Sequence, residues 1–302
     1  MKQKLLVSFS GGETSAFMAQ WLWKHCQDKY EMLFVFANTG QENEETLDFV
    51  KKCSNYFGFP VVAVEAVVNP EFRKGTKHKV VSIDECSRNG EPFESAIAKF
   101  GIPNQNMSIC TRELKERPIT SYTKSIWGKS KYLLAIGIRK DEADRMNSRA
   151  KEIGIIYPLI DTKLIPMTKP MINLFWSQQP FRLGLKGYQG NCKWCWKKSD
   201  KKLFTIAKEN EAAFDFPAKM EQKYENFISE NVKKRLIERG KELKLPRRFF
   251  RGDRSAYQII EQSKTFVGSV NDDAIIFPVE NHQLELDLVG GESCEVFSEC
   301  KS

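Results

Sequence analysis

The chain has 302 residues, 41% of them hydrophobic, enough to bury a sizeable core as one large domain or two small ones. No apolar run approaches the ~18 residues of a membrane span and no charged-then-apolar leader opens the chain, so the expectation is a soluble cytoplasmic protein without a membrane partner. The net charge of +8 is uneven: residues 193–254 carry 18 Lys/Arg against 10 Asp/Glu, whereas residues 271–302 carry 8 acids against Lys301 alone.

Leu5-Leu6-Val7 reads as a buried strand, broken by Ser10-Gly11-Gly12 and followed from Thr14 by a helix with Phe17, Met18, Trp21 and Leu22 on one face. Met32–Ala37 is a second strand buried on both faces, and it ends in Asn38-Thr39-Gly40-Gln41-Glu42. A helix from about Glu44 to Phe57 and a third strand over Val61–Val68 follow. Residues 69–109 read as a less regular excursion with a short helix at Pro92–Phe100. A helix runs on from Thr111, with a bend expected at Pro118. Lys131–Ile138 is a fourth buried strand ending in Arg139-Lys140-Asp141-Glu142, and Ile155–Leu159 a short edge strand. Beyond it lie a helix within Pro166–Phe181, helices through 201–244 broken at Phe214–Pro217, a basic aromatic turn at 246–254 and a helix over 255–264. The expected divisions are an α/β domain at 1–165, a basic, mainly helical region at 166–270 and an acidic tail at 271–302.

Strand–helix–strand alternation with short loops implies a parallel sheet, with ligands bound at the carboxyl ends of its strands. Three loops are then expected side by side: Ser10–Ser15, Asn38–Glu42 and Gly137–Arg145. The first combines glycines, hydroxyls on Ser8, Ser10, Thr14 and Ser15, and a helix N-terminus, which suits a phosphate. It is neither GxxxxGK[ST] nor GxGxxG. The third offers Arg139 and Arg145 to phosphates and Asp141 and Glu142 to a nucleotide-bound Mg²⁺. Each loop taken alone also reads as a solvated turn.

The stretches SGG-x-T-S, FANTGQENEET and GIRKDEADR together resemble the PP-loop ATP pyrophosphatase superfamily, and best its phosphoadenosine phosphosulfate reductase-like branch, over roughly residues 1–200. The resemblance implies an adenine-nucleotide α-hydrolase-like (HUP-type) α/β fold: a parallel sheet flanked by helices, with a mostly helical C-terminal part. It also implies ATP, or a related adenine nucleotide, held by Ser8, Ser10, Gly11, Gly12, Thr14, Ser15, Asn38, Thr39, Gly40, Gly137, Arg139 and Arg145. Glu13 stands where this branch often has Lys or Arg, and Asn38 where it often has Asp. A carboxylate pointing inward would repel phosphate, so Glu13 is expected to face out.

Cys192 and Cys195 form a CxxC, and Cys110 precedes a helix. Two cysteines plus a remote third suit a [4Fe–4S] cluster, or alternatively Zn²⁺; a thiol pair without metal is the plain reading. Cys294 or Cys300 is a candidate fourth ligand. Trp194 and Trp196 would shield a cluster, stack on a base, or pack. Eight cysteines in a chain with no export signal argue against a disulfide framework, and Cys26 and Cys53 read as core residues. The resemblance implies an ATP pyrophosphatase-type sulfurtransferase of the DNA phosphorothioation kind, with Cys110, Asp141 and Arg139 as catalytic candidates. Its substrate would be tRNA or DNA on the basic block, and its sulfur would come from a cysteine desulfurase. The alternatives are a sulfonucleotide reductase, for which the C-terminal Glu299-Cys300-Lys301 lacks most of the family motif, and a non-catalytic nucleotide-binding protein with a structural zinc.

Overall fold

The computed structural model describes residues 2–278, apart from residues 72, 106, 239 and 241–243. The expected tail therefore lies outside the described residues beyond 278, Cys294 and Cys300 with it. The centre is a six-stranded sheet in the order β4-β3-β2-β1-β5-β6. Its strands are β1 (Gln3–Ser8), β2 (Tyr30–Asn38), β3 (Val61–Val67), β4 (Lys77–Val81), β5 (Leu133–Ala135) and β6 (Ile155–Ile156). All neighbours are parallel except β3 and β4. Leu5, Leu6 and Val7 are fully buried, as an apolar run covered on both faces requires.

The chain leaves β1 toward β2 and β3, then returns to the other side of β1 as β5 and β6. The reversal between β1 and β5 is a topological switch point, where the loops at the strand ends part and leave a crevice. The helices α1 (Glu13–His25), α2 (Glu44–Phe57) and α3 (Glu91–Phe100) cover this half. In α2 the buried Thr46, Leu47, Phe49, Val50 and Cys53 make an inward stripe, and Gly58 closes it in the left-handed conformation, with its N–H bonded to Ser54 O.

A helical run over 109–127 comprises α4 (Ile109–Thr111), a π turn (Arg112–Glu116) and α5 (Arg117–Trp127). The departure from α geometry precedes Pro118, where a bend is expected. After α6 (Ala150–Ile153), helix α7 (Lys169–Ser177) buries Ile172 and Trp176 in the same core as α1 and β1. A second core gathers Trp194, Phe214, Phe249 and Phe250 between α3, α8 (Asp200–Glu209), α9 (Asp215–Tyr224) and α11 (Ala256–Thr265), with α10 (Glu230–Glu238) between the last two in sequence. The excursion at 69–109 contains β4, which the sequence reading leaves out. The break in the later helices falls at Asn210, where the backbone leaves helical geometry, ahead of Phe214–Pro217.

Candidate functional site

The loop after β1 turns at Gly11, whose φ of +83° suits glycine. A Cβ there would stand 2.7 Å from Thr46 Cγ2 and 3.1 Å from Phe36 and Val50, so the loop is pressed onto β2 and α2. α1 begins at once, with Gly12 as N-cap and no side chain capping it. Its first-turn amides and the positive end of its dipole therefore present an anion-seeking surface. Ser15 turns its hydroxyl back into the loop: it accepts from Ser10 N at 3.2 Å and donates to Gly12 O at 3.0 Å. Ser8 is buried beneath. The third loop abuts this one, because a Cβ on Gly137 would lie 3.1 Å from Ser15 Cα. Arg139 Nη1 donates to Thr14 Oγ1 at 3.1 Å.

The second loop is an internal brace. Asn38, fully buried, donates from Nδ2 to Glu65 Oε1 at 2.7 Å and to Ser87 O at 2.9 Å. Gly40 (φ +81°) lets the chain pass Ser87 and Gly90, where a Cβ would stand within 3.0 Å of both. Thr39 donates its N–H and hydroxyl to Glu42. Of the sequence-predicted residues, Ser10, Gly12, Thr14, Thr39, Arg139, Cys110, Cys192 and Cys195 line one common cleft. Ser8, Gly11, Ser15, Asn38, Gly40 and Gly137 stand behind that wall and shape it.

Glu13 does not face out. It is 8% exposed, and its two carboxylate oxygens accept from Arg182 Nε and Nη2 at 2.9 and 3.0 Å. The physical reason is that a counter-charge from the loop after α7 neutralises it in place, so it need not escape to water. In the third loop Arg139 pairs with Asp141 (3.1 Å) and Glu142 (3.2 Å), and Arg145 pairs with Glu142 (2.5 Å). Asp141 also accepts from Lys169 N at 3.1 Å. These carboxylates hold the arginines in place.

The cleft wall is cationic. Lys115, Lys169, Lys186, Lys198 and Lys202 join Arg139, against Glu13, Glu142 and Asp273. Lys198 is 3% exposed, and its Nζ lies 2.5 Å from where a Cβ on Gly190 would be. No carboxylate pairs with it among the described residues, and a buried ammonium of this kind calls for an anion. The sequence reading misses these lysines; the usable signal was a cation three residues after Cys195 and another five after Cys110.

The cysteine loop is fastened to the second strand loop. Glu42 and Cys192 form a bridge, Asn43 N donates to Asn191 O at 2.8 Å, and Lys193 N donates to Gln41 O at 3.0 Å. Asn191 Nδ2 donates to Ser10 O at 2.6 Å, joining the same loop to the first. Trp194 donates to Gln41 Oε1 and packs against Phe93, Phe216 and Phe249, so its role is packing. Burial pushes the Cys192 thiol up to about 12, while Lys115 and Lys198 pull it the other way. The three thiols share a wall, yet among the described residues no group of three or more His, Cys, Asp or Glu is set to hold a metal ion. No helix among the described residues is long and apolar enough to cross a membrane.

A mostly parallel α/β sheet flanked by helices, with an uncapped, glycine-turned loop at its switch point, defines the class as a HUP-type α/β protein. Residues 4–82 match the phosphoadenosine phosphosulfate reductase domain. Over 209 residues the chain is 31% identical to the uncharacterized nin region protein ORF290 of Escherichia phage lambda, which covers 68% of this chain and 70% of that protein. The chain belongs to the PP-loop, phosphoadenosine phosphosulfate reductase-like family.

Proposed function

We propose that the cleft binds an adenine nucleotide and is the active site of an ATP pyrophosphatase-type sulfurtransferase. The supporting observation is that Ser10, Gly12, Thr14 and Arg139 line the same cleft as Cys110, Cys192 and Cys195. An oxygen of a nucleic-acid substrate attacks the α-phosphorus and pyrophosphate leaves. The first-turn amides of α1 and the Arg139 guanidinium offset the charge that develops on it. A donor protein such as a cysteine desulfurase loads one of the thiols as a persulfide. Its outer sulfur attacks the adenylated centre, AMP leaves with the oxygen, and a second thiol of the cleft cleaves the S–S bond, leaving sulfur on the substrate and a disulfide that an external thiol reduces. The tRNA or DNA would lie on the basic 193–254 block. Part of that block is already paired internally, as in Arg254 with Asp200 and Lys223 with Glu94.

The test is release of labelled pyrophosphate from γ-labelled ATP with and without tRNA or DNA, compared with sulfite release from phosphoadenosine phosphosulfate. Nucleic-acid-stimulated pyrophosphate release supports the reading; sulfite release with a thiol reductant supports the sulfonucleotide reductase instead. Tight ATP binding with neither turnover selects a non-catalytic binding protein. A [4Fe–4S] cluster, or Zn²⁺ in its place, on Cys110, Cys192 and Cys195 is a separate proposal. It is decided by an optical spectrum with iron and zinc counts on anaerobically purified protein.

A further inference from the structure

The first loop of this chain carries an acid where a phosphate site gains from a base, and the cation it lacks must come from elsewhere. Arg182 is held by both oxygens of Glu13 and also donates to Ala274 O at 3.1 Å. Arg139 is shared among Thr14, Asp141 and Glu142. Lys169 differs from both. It opens α7, lines the same cleft as Ser10, Gly12 and Thr14, and its side chain is 16% exposed. Its nearest carboxylate among the described residues is Asp273, with Nζ to Oδ1 at 3.8 Å, beyond hydrogen-bond reach. Asp273 Oδ1 in turn is buried without a hydrogen-bond partner. A Cβ on Gly187 would collide with that carboxylate, so it has little room to move closer.

Both partners are therefore under-satisfied, and the segment that carries Asp273 is tied down by others: Asn173 Nδ2 donates to Asp273 O at 2.7 Å and to Ile276 O at 2.6 Å. We propose that Lys169 is a phosphate-contacting cation of this site beside Arg139, standing in for the base absent at position 13, and that Asp273 holds its ammonium at the cleft wall until a phosphate takes it. The ligand class is a di- or triphosphate bound across the first loop and the start of α7. Burial lowers the proton affinity of Lys169, and Asp273 and Glu13 raise it, while Arg139 and Arg182 oppose them; a phosphate supplies the further negative charge that the pocket leaves wanting. The inference rests on the nucleotide reading above.

The test is titration calorimetry of the full chain with inorganic pyrophosphate and with ATP, for the wild type, Lys169→Met and Asp273→Asn. Lys169→Met should weaken both ligands about ten- to hundredfold, as loss of one charge-assisted hydrogen bond to phosphate implies. Asp273→Asn should tighten both, by about threefold or more, because a competitor for the ammonium is gone. Unchanged affinity in Lys169→Met, or weaker binding in Asp273→Asn, overturns the proposal while leaving nucleotide binding intact. A wild type that binds neither ligand overturns the nucleotide reading and this inference together. Thermal melts of each variant check that it is folded, and the opposite signs expected for the two changes separate a local charge effect from general damage.

Discussion

Arg182 grips Glu13 through two hydrogen bonds of 2.9 and 3.0 Å, across 169 residues of sequence. The pair sets a guanidinium against the carboxylate that opens α1, and it fastens the segment after α7 to the start of that helix. Trp176 adds a second fastening, with Nε1 donating to Glu13 O at 2.9 Å.

Removing one partner leaves the other charge in a poor solvent. Arg182→Met should lower the unfolding free energy by about 2–4 kcal/mol, below the fully buried limit because the arginine is partly exposed. Glu13→Gln in the same background should restore part of that loss, giving a coupling energy of about 1 kcal/mol or more in a double-mutant cycle. Urea unfolding of the four proteins measures it, and additive losses would show the pair to be uncoupled.

Asn38 stands where the resembled family often has Asp, and Glu65 accounts for the difference. Asn38→Asp would set a carboxylate against Glu65 Oε1, now 2.7 Å from Nδ2, and against the Ser87 carbonyl. Both side chains are buried. A loss of about 3 kcal/mol is expected, most of it regained in Asn38→Asp/Glu65→Gln, where one amide again donates to one carboxylate. A double variant no more stable than Asn38→Asp would refute this account.

Gly11→Ala meets two obstacles: a φ of +83° and Thr46 Cγ2 at 2.7 Å from the new methyl. It should cost about 1–3 kcal/mol and shift the loop, weakening ATP binding at least tenfold. Gly128→Ala serves as the control, since it shares a positive φ, +62°, with nothing within 4 Å. That variant should lose about 1 kcal/mol and keep its ATP affinity.

Glu221 should give the fold a pH-dependent component. Burial raises its carboxyl from the usual 4.5 to about 7, although Phe249 N and Ala256 N both donate to it. An acid whose folded pKa lies above its unfolded value binds its proton more tightly when folded. Its contribution is complete below pH 4.5 and is lost as pH rises to about 7, amounting to at most about 3 kcal/mol. Glu221→Gln should flatten that slope. Urea midpoints at pH 5, 6, 7 and 8 measure the difference, and parallel profiles for the two proteins would rule the carboxyl out.

The first half of the fold was readable because its signals are local. Leu5–Val7 and Met32–Ala37 announce buried strands by composition, and α2 begins at Glu44 and ends at Phe57 as its periodicity predicts. β4 was not readable: Lys-His-Lys-Val-Val is mostly exposed at a sheet edge, and edge strands carry charge instead of an apolar pattern. The convergence of the three loops followed from strand order. The partners Arg182 and Lys169 did not, because they reach the cleft through the packing of Trp176 and α7 against β1 and α1, a long-range contact with no period to betray it. The inward turn of Glu13 has the same origin, because its partner Arg182 comes from that distant segment.

Trp194 hydrogen-bonds Gln41 across 153 residues, beside the bridge that joins Glu42 to Cys192. Contacts that distant are slow to close, since the loop entropy is lost before the contact repays it. The cleft is thus complete only once the wall from residues 183–202 is set against the glycine turn. A fragment confined to the matched stretch, residues 4–82, would carry the glycine turn with no opposite wall, and should be unable to hold what the whole chain holds.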